Sequence, residues 1–354
     1  MFVFPCLLTF LSLSHGLETA DYLPQCLASE TCVQQGTTCE KSLKNQSSNS
    51  LSDWVESTSH YCRLKDGSDG VSLYCCQKNS EFAKIISANM ARPNQFPNIV
   101  YLSVQFPGSY DSGGNCGGSI YNKRWIITAA HCVINGEQRV ARPGHIKVFA
   151  GVNHVSKKHL VPKNQTYSGI RIVVHQGYRY TVPIKNDIAL IQVDRDIQYS
   201  KFVKPLRVVV KGFKPKGVAW LAGFGTTDAG VSTGALLAGK ATIYSVEDEK
   251  CKRVIERWGL LSQNFCIGGG TEVTASSGDS GSPAFCEDRK GRPVHCGVTS
   301  FIYDIECKTR GRKCIQTGID NHPPAAYLEL SRFSKWLRDI AGSQEERELM
   351  AKYN

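Results

Sequence analysis

From Ile85 onward the chain is written as short apolar runs, and this texture limits what it can fold into more than any other feature. Ile99 to Val104, Trp125 to Ala130, Ile146 to Phe149, Ile188 to Val193 and Val218 to Ala222 are separated by Gly, Pro and Asn. Such runs are too short for packed helices and are bounded by turn formers, so they read as strands. Many short strands at regular spacing predict an all-β sandwich or barrel. Helical periodicity stands out only at the end, where Phe333, Trp336, Leu337 and Ile340 fall at i, i+3, i+4 and i+7. One C-terminal helix packed by that face is expected. The stretch 342–354 reads as a polar tail.

The chain has 354 residues, more than a single core usually holds, so at least two domains are expected. Met1 to Gly16 is almost wholly apolar, carries no charged side chain and ends in small residues, as a signal peptide does. It is shorter than the ~20 residues of a spanning helix, and no later apolar run reaches ~18 residues, so a secreted protein without a membrane span is expected. Of fifteen cysteines, Cys6 would leave with the signal. The even remainder reads as a disulfide framework formed in an oxidising compartment. Cys26, Cys32, Cys39, Cys62, Cys75 and Cys76 crowd into a Ser/Asn-rich segment with few large aliphatics, which would need disulfides in place of a core. Residues 17–76 are therefore read as a disulfide-rich module, 77–84 as a polar linker and 85–341 as the main domain. The sequons at Asn45 and Asn164 are candidate glycosylation sites.

Hydrolysis of an unactivated amide near neutral pH needs a nucleophile, a base, an acid to orient the base, and donors for the oxyanion. Thr128-Ala129-Ala130-His131-Cys132 supplies a histidine at the end of an apolar strand. Asn186-Asp187-Ile188-Ala189-Leu190 sets a carboxylate at the mouth of another. Gly278-Asp279-Ser280-Gly281-Ser282-Pro283 puts a serine in a glycine-rich turn whose N–H groups can face a developing negative charge. Each segment alone is weak, because a single His is more often structural and an Asp can simply cap a turn. The order His, Asp, Ser is more specific, being one of the few used for this geometry. Together, TAAHC, NDIAL and GDSGSP resemble the signatures of the trypsin-like (chymotrypsin-fold) serine peptidases.

The resemblance runs from Ile85 to about Ile340. It implies two six-stranded Greek-key barrels with a C-terminal helix, Ser280 as nucleophile, His131 as general base, Asp187 as its orienter, and an oxyanion hole from the N–H groups of Gly278 and Ser280. Lys84-Ile85-Ile86-Ser87-Ala88 is similar to the activation site of such precursors, in which a freed Ile85 ammonium would bury itself against Asp279. The family pattern further implies Cys116–Cys132 and Cys251–Cys266 bridges and a Ser300 that supports Asp187. The N-terminal cysteines, ending in the Cys75-Cys76 doublet, resemble the clip domains fused to arthropod immune and clotting peptidases. That likeness implies Cys26–Cys75, Cys32–Cys62 and Cys39–Cys76, although six cysteines allow fifteen connectivities.

The chain also departs from the pattern. Ser276 and Ala219 stand where cysteines are usual, so the remaining cysteines suggest local bridges, Cys286–Cys296 and Cys307–Cys314. Thr274 replaces the aspartate at the base of a tryptic specificity pocket, and Ile302 and Ala325 fall where the family keeps glycines along its walls. These changes predict a narrowed pocket and non-tryptic specificity. The segment from Val152 to Thr166, where the family's calcium loop would fall, holds no Asp or Glu, and no metal or cofactor is expected. Residues 17–84 carry six Lys/Arg against nine Asp/Glu, which leaves +14 on 85–354. That surface suits anionic glycans or microbial surfaces, but no motif points to specific nucleic-acid recognition. The resemblance implies protein substrates, an upstream protease cutting after Lys84, serpin inhibitors, and an extracellular cascade of innate immunity, melanisation or clotting. Beside the enzyme stands a rival reading, a weakly active homologue acting as a binding cofactor in such a cascade.

Overall fold

The computed structural model describes residues 88–342, apart from 93, 108–112, 156–160, 162, 182–183, 227–233, 260–262, 271 and 302–322, together with the backbone of three N-terminal strands. Those strands, β1 (Glu30–Gln34), β2 (Trp54–Tyr61) and β3 (Leu73–Lys78), form an antiparallel sheet in the order β1-β3-β2. Its register sets Cys32 opposite Cys75 and Thr31 opposite Cys76. Cys26, Cys39 and Cys62, and with them the pairings expected of this segment, lie outside the described residues, as do the signal sequence and Asn45.

The apolar runs form two antiparallel barrels. Strands β5 (Ile99–Gln105), β6 (Gly113–Ile120), β7 (Trp125–Thr128), β8 (Ile146–Ala150), β9 (Thr166–Val174) and β10 (Ala189–Val193) close in the order β10-β7-β6-β5-β8-β9. Strands β11 (Val218–Gly223), β12 (Leu237–Tyr244), β13 (Asn264–Ile267), β14 (Pro283–Glu287), β15 (Pro293–Phe301) and β16 (Ala325–Glu329) follow the order β11-β14-β15-β16-β13-β12. Pairing of β11 with β12 closes this second barrel. The short strand β4 (Asn89–Met90) extends it at β12, with Met90 opposite Leu237. Ile126, Ile127, Leu190 and Ile191 are wholly buried, and Ile127 faces Leu190 across the β7/β10 ladder. At ~1.5–3 kcal/mol for each fully buried large aliphatic, such layers hold the barrel closed. The run from Trp125 splits, since the strand ends at Thr128 and Ala130–Cys132 forms a 3₁₀ turn that carries His131 off the barrel.

Two α-helices are described, where the periodicity predicted one. Helix α2 (Ser334–Ala341) is the predicted C-terminal helix, with Phe333 and Leu337 buried and Trp336 and Ile340 packed at its flank. Asn122 Nδ2 donates to Ala341 O at 2.7 Å and pins its end to the first barrel. Helix α1 (Glu249–Trp258) corrects the expectation of a single helix. It is mostly charged, and its apolar face is little more than Cys251, Val254 and Ile255, too narrow a stripe to register as periodicity. Its ends were nonetheless readable: the Asp248 side chain accepts from Lys250 N, and Gly259 closes it at φ 57°. Among the described residues no helix is long and apolar enough to cross a membrane.

Candidate active site

The first barrel positions His131 and Asp187, and the second presents Ser280 and Ser300. His131 lies on the turn after β7, beside a Cys116–Cys132 disulfide that ties this turn to β6. Asp187 precedes β10 and is 1% exposed. Asn186 holds a left-handed backbone (φ 52°) and donates from Nδ2 to Gly177 O at 2.7 Å, which folds the approach to β10 over the site. Both Asp187 oxygens are engaged: Oδ1 accepts from His131 N at 2.9 Å, while Oδ2 accepts from His131 Nδ1 at 2.8 Å and Ser300 Oγ at 2.6 Å. A carboxylate this buried needs all three donors, because an unpaired one is costly to desolvate.

Two opposed effects set the electrostatics of this pair. Burial works to lower the His131 pKa, but the adjacent Asp187 charge and its hydrogen bond outweigh it and hold the imidazole above its ordinary value. Burial likewise works to raise Asp187, yet the His131 charge and the bonds from His131 and Ser300 bring it below the usual carboxylate range. With Nδ1 held by Asp187, Nε2 is left as the ring's free nitrogen. The ring is 19% exposed, and Phe301 lies 5.5 Å from it, centroid to centroid, at 34°.

The turn that carries Ser280 is clamped from both barrels. Gly117 N on β6 donates to Ser280 O at 2.8 Å, and Gly281 N donates to Thr299 O on β15 at 2.9 Å. Gly278 (φ 97°) and Gly281 (φ 79°) make the turn possible, since both occupy a backbone region that side chains resist. A Cβ on Gly281 would run into Thr128 Oγ1 and sit 2.5 Å from Gly117 O. Among the described residues, the N–H groups of Gly278 and Ser280 and the Ser280 hydroxyl make no hydrogen bond, the last including none to His131. Catalytic hydrogen bonds are often this loose before substrate binds.

Asp279 is buried, and its carboxylate turns inward. Oδ1 accepts from Gly225 N at 2.8 Å and Oδ2 from Ser276 N at 2.9 Å, with Ser276 Oγ at 3.3 Å. Gly223 and Gly225 leave the space it fills, for a Cβ on either would collide with its oxygens. Burial pushes its pKa from 3.8 up to about 6, only partly offset by those N–H groups, and among the described residues it has no cationic partner. Ser276 Oγ also donates to Thr226 O, so the serine standing in a cysteine position ties the same loop by hydrogen bonds.

Thr274 is buried, and among the described residues its hydroxyl has no hydrogen-bond partner. It lines a narrow cavity with Asp279, Thr299 and Tyr327 that has room for roughly one water molecule. Ala325, at the start of β16, is buried, while Ile302, Lys84 and Ile85 lie outside the described residues. Asn164 is exposed on a 3₁₀ turn ahead of β9. Disulfides join Cys251 to Cys266 and Cys286 to Cys296, whereas Cys307 and Cys314 are not described. Among the described residues no group of three or more His, Cys, Asp and Glu side chains could hold a metal ion. Sequence reasoning passed over two neighbours of the site. Phe301 could have been found as the residue after Ser300. Tyr178, whose buried hydroxyl has no hydrogen bond among the described residues, has its pKa raised by burial and then by the Asp187 charge. Only its place in a Tyr-Arg-Tyr run hinted at it.

The family model for trypsin matches residues 85–337, the span of both barrels and the first half of α2. The chain belongs to the trypsin family. Its relatives include a trypsin-like protease of Streptomyces glaucescens, 29% identical over 73% of this chain and 82% of that protein. Coagulation factor IX of Cavia porcellus is 27% identical over the same shares. A CLIP domain-containing serine protease B10 of Anopheles gambiae is 26% identical over 78% of this chain and 74% of its own. Membership in the trypsin family makes peptide bonds in proteins the expected substrate, and it accounts for a site built where two barrels meet.

Proposed function

We propose that this protein is the secreted precursor of a serine endopeptidase in which Ser280 attacks the scissile carbonyl, His131 takes and returns the proton, and Asp187 orients His131. The observation that carries the reading is the buried Asp187 carboxylate, which accepts from the His131 backbone, the His131 ring and Ser300 at once. So many donors on one carboxylate fix the ring's tautomer and ready it to hold a positive charge. The N–H groups of Gly278 and Ser280 are the donors for the oxyanion. Cleavage after Lys84 would release the Ile85 ammonium, and Asp279, buried without a cation, is the group it would neutralise.

Cleaved protein is expected to prefer small or medium apolar side chains before the scissile bond. Thr274 offers a hydroxyl and no charge, so an incoming Arg or Lys would be buried unpaired. The B10 relative's name gives it a CLIP domain, which supports reading 17–76 as a clip-like module and the whole as a member of an extracellular cascade. The exposed Asn164 is compatible with glycosylation. Profiling the Lys84-cleaved protein on a peptide library tests the scheme. Cleavage after small apolar residues supports it, strong cleavage after Arg overturns the reading of Thr274, and no cleavage at all favours the cofactor reading.

A further inference from the structure

A second serine–histidine pair spans the two barrels, away from the site just described. Ser119 on β6 is wholly buried and His295 on β15 is 1% exposed. Ser119 Oγ lies 3.1 Å from His295 Nδ1, and His295 Nε2 lies 3.0 Å from Gly297 O. Burial pushes the His295 pKa from 6.5 down to about 3, only partly offset by the bond to Gly297, so the ring is neutral near pH 7. A neutral imidazole carries one hydrogen and a carbonyl can only accept, which puts that hydrogen on Nε2. Nδ1 is then the acceptor, and Ser119 Oγ donates to it. No substrate reaches a pair buried this deeply, so its work is done inside the protein.

The strands it joins are the ones that assemble the site. Ser119 stands two residues beyond Gly117, whose N–H donates to Ser280 O at 2.8 Å. His295 stands five residues before Ser300, whose hydroxyl donates to Asp187. The backbone of His295 also takes the linker between the barrels: His295 N donates to Arg207 O at 2.9 Å, and Val209 N donates to His295 O at 3.1 Å. Apolar packing between barrels is not directional, so aliphatic faces alone set their relative register loosely. A buried donor and acceptor must stay together, because parting leaves both without water and without a partner. The precision matters here, since a misplacement of ~1 Å at reacting atoms can cost about 100-fold in rate.

We propose that His295 is a positioning residue: through Ser119 it fixes the register between the barrels that brings His131 and Asp187 to Ser280. The inference rests on the reaction proposed above.

The experiment compares Lys84-cleaved wild-type protein with Ser119→Ala, His295→Leu and Ser119→Ala/His295→Leu, by chemical denaturation and by kcat and KM on one peptide substrate. Each single change strands a buried polar group and should lower the denaturation midpoint. The double change removes both partners in favour of apolar groups, so its midpoint should return most of the way to that of the wild type. Its kcat should nonetheless stay at least ~10-fold lower, with KM within about twofold, because the site is whole but out of register. A double variant that regains wild-type kcat together with its stability would overturn the proposal and leave the pair a purely structural bond. A raised KM with unchanged kcat would overturn it too, since that marks lost binding and not lost placement. Cleaved wild-type protein that hydrolyses nothing would instead overturn the underlying reaction, and this role with it.

Discussion

At the scale of single residues, two carboxylates sit in opposite environments. Asp187 is surrounded by donors and a cationic ring and sits below its ordinary pKa, whereas Asp279 has backbone donors alone and is pushed up to about 6. His131 must be neutral to accept the serine proton, so activity of the cleaved enzyme should be lost as pH falls through its raised pKa. Asp187→Asn removes the charge that raises it and frees the wrong tautomer. Turnover should then drop by ~10⁴-fold, the magnitude known for Ser-His-Asp triads, and the acid limb should move to lower pH. An unchanged acid limb in this variant would contradict the coupling. Asp279 leads to a second test, through linkage. Its folded pKa lies above the ordinary 3.8, so the uncut protein holds that proton more tightly than its unfolded chain does. Its stability should therefore fall as pH rises from about 4 to about 6, by up to roughly 3 kcal/mol from this group. In cleaved protein an ammonium beside Asp279 would reverse the sign. Unfolding free energies of both forms across that range should converge at low pH and diverge above it, and parallel curves would refute the pairing. Much of this was legible in sequence: His131, Asp187 and Ser280 announce themselves because the chemistry demands residue types in local motifs. Phe301 and Tyr178 did not, because their place beside His131 and Asp187 arises only when separate segments are brought together.

Among the elements, the turn that carries Ser280 is the one most tightly specified. It is held by Gly117 of one barrel and Thr299 of the other, and Gly281 has neither the room nor the backbone angle for a side chain. Gly281→Ala should cost roughly 1–2 kcal/mol for the left-handed backbone alone. The clash with Gly117 O adds to this by displacing Ser280, so activity should fall further than stability. Chemical denaturation and peptide hydrolysis on the same preparation separate the two, and a fully active variant would show that the turn tolerates the shift. The C-terminal helix could be read from its spacing because Phe333 and Leu337 turn one face to the core. Helix α1 could not, as its apolar contact is a few residues around the Cys251–Cys266 bridge and its caps carry more information than its face.

For the whole molecule, the texture of short runs leads directly to strands, and the family resemblance leads to two barrels. Closure, the pairing of β11 with β12 and the docking of β4 depend on contacts distant in sequence, which periodicity does not encode. Three disulfides are present among the described residues, and if Cys307 pairs with Cys314 no cysteine of the main domain is left to hold the N-terminal module. After cleavage at Lys84 a −3 module and a +14 domain would be held by charge screened beyond ~8–10 Å at physiological salt. Non-reducing electrophoresis should then show two fragments, and a single band that splits only on reduction would refute this pairing. If Ser280 becomes a nucleophile when the chain is cut, fluorophosphonate labelling before and after cleavage at Lys84 will show it. The intact chain should label weakly, the cleaved one strongly at Ser280, and Ser280→Ala not at all. Cleaved protein of verified sequence that labels no better than the precursor would contradict it.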